Sequence, residues 1–340
     1  MTHPKSLSAL RDKILSDKSI RRAVVRRSFY WFFVVFLSHY IQYEVAPFQR
    51  EMFELMEDTR HRLTVIMAFR GSGKSTIMNL GYALWSILGE QQKKFILIIS
   101  KTQSQAKGHF HNIRDELRNN PLLVKDLGPF EVDDSWGMSS LVLTRTGTRI
   151  TVASREQSIR GTRFLQHRPD VIICDDLEDS TSGSPREYED TYRWFMSEVM
   201  PAGDRKTKII VLGNLLGESS LLMRLRDDIA RNKVDGIFRA YPLIDDLGQV
   251  LWPGKFDTAD KLLELERSIP DRETYEREYL LRYVPEKFIS TLDRLAREEE
   301  RNDHIHQLGP YKINAPKMTF GLADFVRDRE RELAANEPSV

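Results

Sequence analysis

Two short stretches of this sequence carry side chains suited to phosphate chemistry. The first is Ala68-Phe69-Arg70-Gly71-Ser72-Gly73-Lys74-Ser75-Thr76, which directly follows the apolar run Leu63-Thr64-Val65-Ile66-Met67. A strand that empties into a glycine-rich turn and then a helix makes a cradle for phosphate. Backbone N–H groups of the turn and of the helix start point at the anion, a lysine ammonium lies near the β- and γ-phosphates, and a serine hydroxyl ligates Mg²⁺. Lys74 and Ser75 stand in those two places, and Thr76 continues into the helix. The G-x-x-x-x-G-K-[ST] pattern opens on glycine; Ala68 holds that place here, the smallest departure available.

The second stretch is Val171-Ile172-Ile173-Cys174-Asp175-Asp176-Leu177-Glu178-Asp179, four apolar residues running into carboxylates. A strand end fixes Asp175 where it can hold Mg²⁺, usually through water, and a second carboxylate just beyond can polarise the water that attacks the γ-phosphate. Asp176 is adjacent and Glu178 lies two further on, and spacing alone does not say which is the base. The two stretches together predict a site for ATP and Mg²⁺. Two weaker signals join them. Gln49, within Ala46-Pro47-Phe48-Gln49-Arg50, carries an amide that can read an adenine edge. Gly213-Asn214 closes another apolar run, where polar groups beside the γ-phosphate can report its loss.

The elements that must position these groups are legible as an alternation. Residues 62–68, 94–100, 149–153, 170–175 and 207–212 read as strands, and 74–88, 102–119 and 185–199 as helices between them. In the first helix Ile77, Leu80, Leu84, Trp85 and Leu88 are spaced as one apolar stripe. Strands separated by helical crossovers predict an α/β fold whose mostly parallel sheet is covered on both faces. Residues 257–300 are charged and helical in pattern, a small appendage to that core.

Composition sets outer limits. The chain has 340 residues, 41% apolar and 30% charged, with a net charge of +1, so it reads as globular, and any nucleic-acid contact must come from a local patch. The single cysteine, Cys174, excludes an internal disulfide and argues against a Cys-based metal site. The apolar segment Phe29–Leu37 is far shorter than the roughly 20 residues of a membrane span. It follows Arg21, Arg22, Arg26 and Arg27 but is trailed by no small-residue cleavage site, so it predicts a buried helix and no membrane role. Lys18 and those four arginines form either a solvated helix face or a contact for DNA phosphate or an adaptor. His109 with His111, and His304 with His306, are spaced i, i+2, which on a helix puts them on different faces and argues against a metal site.

The combination resembles the large terminase subunit of tailed bacteriophages over roughly residues 30–285. The resemblance is carried by Gln49, the Ala68–Thr76 loop with Arg70 inside it, Ile159-Arg160-Gly161-Thr162-Arg163, the Asp175-Asp176 strand end, Gly213-Asn214, and Leu251-Trp252-Pro253-Gly254-Lys255-Phe256 followed by Tyr275 to Tyr279. It implies a P-loop NTPase of the ASCE/RecA-like type and an ATPase that drives double-stranded DNA into a procapsid. The implied partners are the portal protein, the small terminase subunit and further copies of the chain in a ring. The implied setting is the cytoplasm of an infected bacterium, with the protein absent from the mature virion.

By the same resemblance Gln49 matches the adenine motif, Arg70 senses or stabilises the γ-phosphate, and Arg160 and Arg163 are candidates for an arginine finger reaching a neighbouring subunit. Gly213-Asn214 matches the coupling motif, where threonine is more usual at the second place, and the family's catalytic glutamate is replaced at its usual position by Asp176. The resemblance divides the chain into an N-terminal helical segment (1–45), the ATPase core (46–256), a helical lid-like subdomain with linker (257–315), and a tail or the start of a nuclease domain (316–340). Asp324 is the one carboxylate there that such a domain would use, so no nuclease activity is expected of this chain. A two-lobed helicase-like translocase and a nucleotide-gated binding module with little hydrolysis are the alternatives. The first needs a second nucleotide lobe after residue 258, and the carboxylates after Cys174 argue against the second.

Overall fold

The structure, a computed structural model, describes residues 11–130, 137–178, 184–269 and 271–282. Its strands are β1 (Leu63–Ala68), β2 (Phe95–Ser100), β3 (Ser140–Leu143), β4 (Thr148–Ser154), β5 (Val171–Asp175), β6 (Lys208–Gly213) and β7 (Gly236–Tyr241). They form one sheet in the order β3-β4-β2-β5-β6-β1-β7, with every neighbouring pair parallel except β3 against β4. The α/β fold with a mostly parallel sheet is therefore as predicted, and all five predicted strands are present.

The central strands are apolar throughout because both faces are covered. Side chains alternate between two cores: Ile96 and Ile98 join one, Leu97 and Ile99 the other. The first core is roofed by α1 (Lys18–Arg27), α2 (Phe29–Phe36), α3 (Pro47–Glu57), α4 (Ala83–Leu88) and α5 (Gln103–Asn119), with α6 (Pro121–Leu127) packed on α5. The second is roofed by α7 (Pro185–Trp194), its π-helical continuation Phe195–Val199, and α8 (Leu221–Ala230).

The apolar N-terminal segment is the buried helix α2, capped by the Ser28 side chain. Phe29 meets Phe53 edge-on at 4.8 Å and stacks on Trp85 at 5.4 Å. The helix after the phosphate loop must pass close beneath it: a Cβ on Gly81 would lie 2.6 Å from a Phe33 ring carbon, so only glycine fits there. No helix among the described residues is long and apolar enough to cross a membrane.

Residues 74–88 differ from expectation in two ways. The stretch Thr76–Tyr82 is π-helical before α4 begins, and nearly every side chain from Ile77 to Ile87 is buried, so the single stripe gives way to a helix wrapped on all sides. The appendage contains α9 (Ala259–Arg267) and α10 (Arg272–Glu278). Residues 283–340, with His304, His306 and Asp324, and also Asp179, lie outside the described residues.

Candidate nucleotide site

β1 and β5 end on the same edge of the sheet with β6 between them, so the lysine-bearing turn and the acidic strand tip face one cleft. Gly71 and Gly73 take φ values of 77° and 84°, a left-handed backbone that glycine adopts without strain. The loop is strapped from behind: Phe69 N donates to Tyr241 O and Arg70 N to Glu278 O, both at 2.9 Å. The amides of Gly71, Gly73, Lys74 and Ser75 have no backbone acceptor among the described residues, which is the state a phosphate cradle needs.

Gln49 lies beneath this loop. Its Oε1 accepts from Ala46 N at 3.0 Å and its Nε2 donates to Ser72 O at 2.8 Å, and the residue is only 6% exposed. Both ends of the amide are thus engaged by the protein. The structure gives Gln49 the place of a strut for the turn, where the sequence suggested an edge open to adenine.

The carboxylate of Asp175 is buried among three partners. Asn79 Nδ2 donates to Oδ2 at 2.5 Å, His109 Nε2 lies 3.3 Å from the same oxygen, and the Ser75 hydroxyl is close enough to help hold the charged form. Burial pushes this carboxyl up, but His109, Lys74 and Ser75 outweigh it and hold Asp175 below the usual carboxylate range. Oδ1 is buried with no hydrogen-bond partner. A hydroxyl and a carboxylate oxygen with an unsatisfied lone-pair site are hard donors that fit Mg²⁺, which is commonly held by one or two protein groups with phosphate and water completing its shell. No cluster of three or more metal-ligating side chains is present among the described residues.

Lys74 is 7% exposed and donates from Nζ to Asn214 Oδ1 at 2.5 Å. The loop and the Gly213-Asn214 segment are therefore in direct contact, and a Cβ on Gly213 would lie 3.2 Å from Leu222 and 3.7 Å from Asp176 Oδ1. Arg70, Lys74, Asp176, Glu178, Asn214 and Glu278 all line one cavity of about 300 Å³.

The two candidate bases differ within it. Asp176 has a positive φ of 46° and is solvent-accessible, yet the cleft walls crowd it; desolvation and then the Asp175 charge push it up to about 6. Glu178 is partly buried, and its Oε2 accepts from Leu221 N at 2.9 Å, capping the start of α8; burial pushes it up to about 7. One oxygen of Glu178 is thus engaged by backbone while its Oε1 is buried without a partner, and Asp176 is the more exposed of the two carboxylates lining the cavity.

The arginines are distributed unevenly. Arg70 sits at the cleft but pairs with Glu278 on α10 at 2.7 Å, its side chain 65% exposed. Arg160 and Arg163 are exposed on the Ile159–Arg163 turn, and Arg160 makes a 3.3 Å pair with Glu198. Neither lines this chain's own cavity.

Three residues at the site were given no role in it by the sequence reading. Asn79 follows Ser75 by four positions, which puts both on one helix face, so a polar residue in that apolar helix was a usable signal. His109 comes from α5 and Glu278 from 208 positions beyond Arg70, and no local pattern marks either one. His111 turns away to Arg114 at 3.1 Å, so the two histidines do not share a site.

With this geometry in view, the chain was compared with known proteins. Neither the family models nor the curated protein sequences give a match. Among solved structures, the crystal structure of the HK97 bacteriophage large terminase superposes with a TM-score of 0.51 at 18% identity, covering 69% of this chain and 50% of that one. The fold is that of a phage large terminase. An ATPase-domain mutant of the Thermus phage P74-26 large terminase covers 69% of this chain and 93% of its own at 13% identity, with a TM-score of 0.44. This chain spans about half the length of the HK97 terminase.

Proposed function

We propose that the chain is the ATP-hydrolysing motor of a phage DNA-packaging machine, translocating double-stranded DNA into a procapsid. The observation that supports it most is the meeting of Ser75 with Asp175, whose second oxygen is buried and unpartnered, at one end of a cleft that also holds Lys74 and Asp176.

In this reading the free amides of the loop and the Lys74 ammonium bind the β- and γ-phosphates, and Ser75 and Asp175 hold Mg²⁺. Bound there, Mg²⁺ supplies charge neutralisation on the phosphate oxygens. Asp176, open to the cavity, accepts a hydrogen bond from the attacking water and takes its proton. Arg70, held at the cleft by Glu278, stabilises charge on the transferred phosphoryl group. Lys74 trades its Asn214 partner for phosphate, so γ-phosphate release returns it to Asn214. That exchange, together with the Arg70–Glu278 contact, passes the state of the site to Gly213-Asn214 and to the lid-like helices.

Arg160 or Arg163 reaches the nucleotide of the next copy in a ring mounted on the portal protein, with the small terminase subunit presenting DNA. The helicase-like alternative needs a second nucleotide lobe, and the described residues contain one sheet. The deciding experiment is an ATPase assay with and without duplex DNA and portal-bearing procapsids. Turnover stimulated by both, and rising with protein concentration across the range of ring assembly, is the expected result. Turnover indifferent to DNA, procapsids and concentration would refute the motor reading.

A further inference from the structure

At the opposite end of the sheet lies a second cavity, of about 350 Å³. It opens where β2 begins and where the β3–β4 turn closes, and the six residues of β2 separate it from the nucleotide edge by about 20 Å. Arg22, Arg26, Lys94 and Arg145 line it, over an apolar floor that includes Leu127 and Phe130, and no carboxylate is among its described lining residues. In a chain with 51 basic and 50 acidic residues, four cations converging on one hollow is a departure from the average surface.

Three described carboxylates close by in sequence are engaged elsewhere. Asp126 is held by Arg21 through contacts of 2.6 and 3.2 Å, Asp170 accepts from the amides of Lys94 and Phe95 at 2.7 and 2.9 Å, and Glu90 pairs with Arg27 at 3.3 Å. Two of the four cations are pre-positioned. Lys94 Nζ donates to Thr146 O at 2.8 Å and Arg145 to Gly128 O at 3.0 Å, each keeping further donors free. Arg22 and Arg26 are exposed, one helical turn apart on α1, and their side chains have no hydrogen-bond or ion-pair partner among the described residues. The N-terminal basic run is thereby divided: Lys18 and Arg21 anchor α1 to α6, and Arg22 and Arg26 face the hollow.

Cations with spare N–H donors, converging on a hollow with no carboxylate among its described lining residues, match the oxygens of phosphate, which guanidinium groups bind in a two-pronged fashion. We propose that this cavity is a second phosphate-binding site, separate from the nucleotide cleft, taking either a free polyphosphate or consecutive phosphates of a nucleic-acid backbone. The inference does not depend on the motor reading.

The test uses the full chain carrying Lys74→Ala, so that the cleft contributes little, and titrates two probes at low salt: inorganic tripolyphosphate and a short DNA duplex. The pair Arg22→Glu with Arg26→Glu, and separately Arg145→Glu on a different element, should each weaken at least one probe by about tenfold or more. The probe affected identifies the source of the phosphate. Arg231→Glu, the same charge change on an exposed position of the other face, should leave both probes unchanged. Thermal melts confirm folding, and Arg145→Glu carries the test if the α1 variant is destabilised. Unaltered binding of both probes by the folded pocket variants would overturn the proposal. So would an equal loss in Arg231→Glu, which would mark diffuse surface charge.

Discussion

Lys74 and Lys208 are both buried ammonium groups, 7% exposed each, at opposite ends of the sheet. Lys208 donates to Leu55 O at 2.6 Å, Met56 O at 3.1 Å and Asp58 O at 2.6 Å, closing the C-terminal end of α3 with all three of its protons. Lys74 has one protein partner, Asn214, and stands beside amides that have none. Carboxylates repeat the contrast. Asp126 is fully met by Arg21, whereas Asp175 keeps an oxygen buried without a partner. Burial of charge is therefore common to both ends, and completeness of partnering separates them. A buried group left unsatisfied is costly to the fold and points to a ligand that completes it.

The sharpest way to break this comparison is to remove each lysine. Lys74→Ala should lower ATP turnover by about 10³-fold or more while leaving the melting temperature close to that of the parent, since the fold loses one hydrogen bond, to Asn214. Steady-state ATPase and calorimetry check both halves, and a large loss of stability would place Lys74 with Lys208. Lys208→Met should do the reverse, destabilising the fold by about 2–3 kcal/mol because carbonyls at the helix end lose their donor, with turnover per folded molecule retained.

Asp176→Asn and Glu178→Gln sharpen the contrast inside the cleft. The first should depress turnover by about 10²-fold, as for loss of a general base. The second should depress it much less, because the amide oxygen can still accept from Leu221 N. Reversed single-turnover rates would make Glu178 the base.

A smaller effect is read in stability against pH. Burial raises Glu178 from the ordinary 4.5 to about 7, so the folded state favours its protonated form. That stabilisation is complete below the unfolded value and is lost as pH rises through 7. Glu178→Gln should therefore melt higher than the parent at pH 8, and the difference should vanish towards pH 5. A gap constant across that window would show that desolvation does not govern this carboxyl.

The two candidate phosphate-binding stretches were legible because their signals are local. A strand, two glycines with left-handed φ and a lysine-serine pair need only neighbouring residues to be recognised, and the buried strands read as unbroken apolar runs. β3 and β7 were not read. The first is four residues long beside a tight turn, and the second is a half-exposed edge strand that opens on glycine and carries Arg239. Gln49 shows the opposite case: its sequence position fits a base-reading amide, but its hydrogen bond to Ser72 O, 23 positions away, is visible only in the folded chain.

The sequence by itself determined which groups can do phosphate chemistry, since Lys74, Ser75 and the Asp175-Asp176 tip follow from residue type and from two periodicities of the backbone. The tertiary structure alone decided which of them remain free to do it. Asn79 and His109 hold one oxygen of Asp175 and leave the other bare, Leu221 claims Glu178, and Glu278 draws Arg70 to the cleft. Those pairings span from 43 to 208 positions, and a hydrogen bond depends on distance in space, which only the packing of the sheet and its helices fixes.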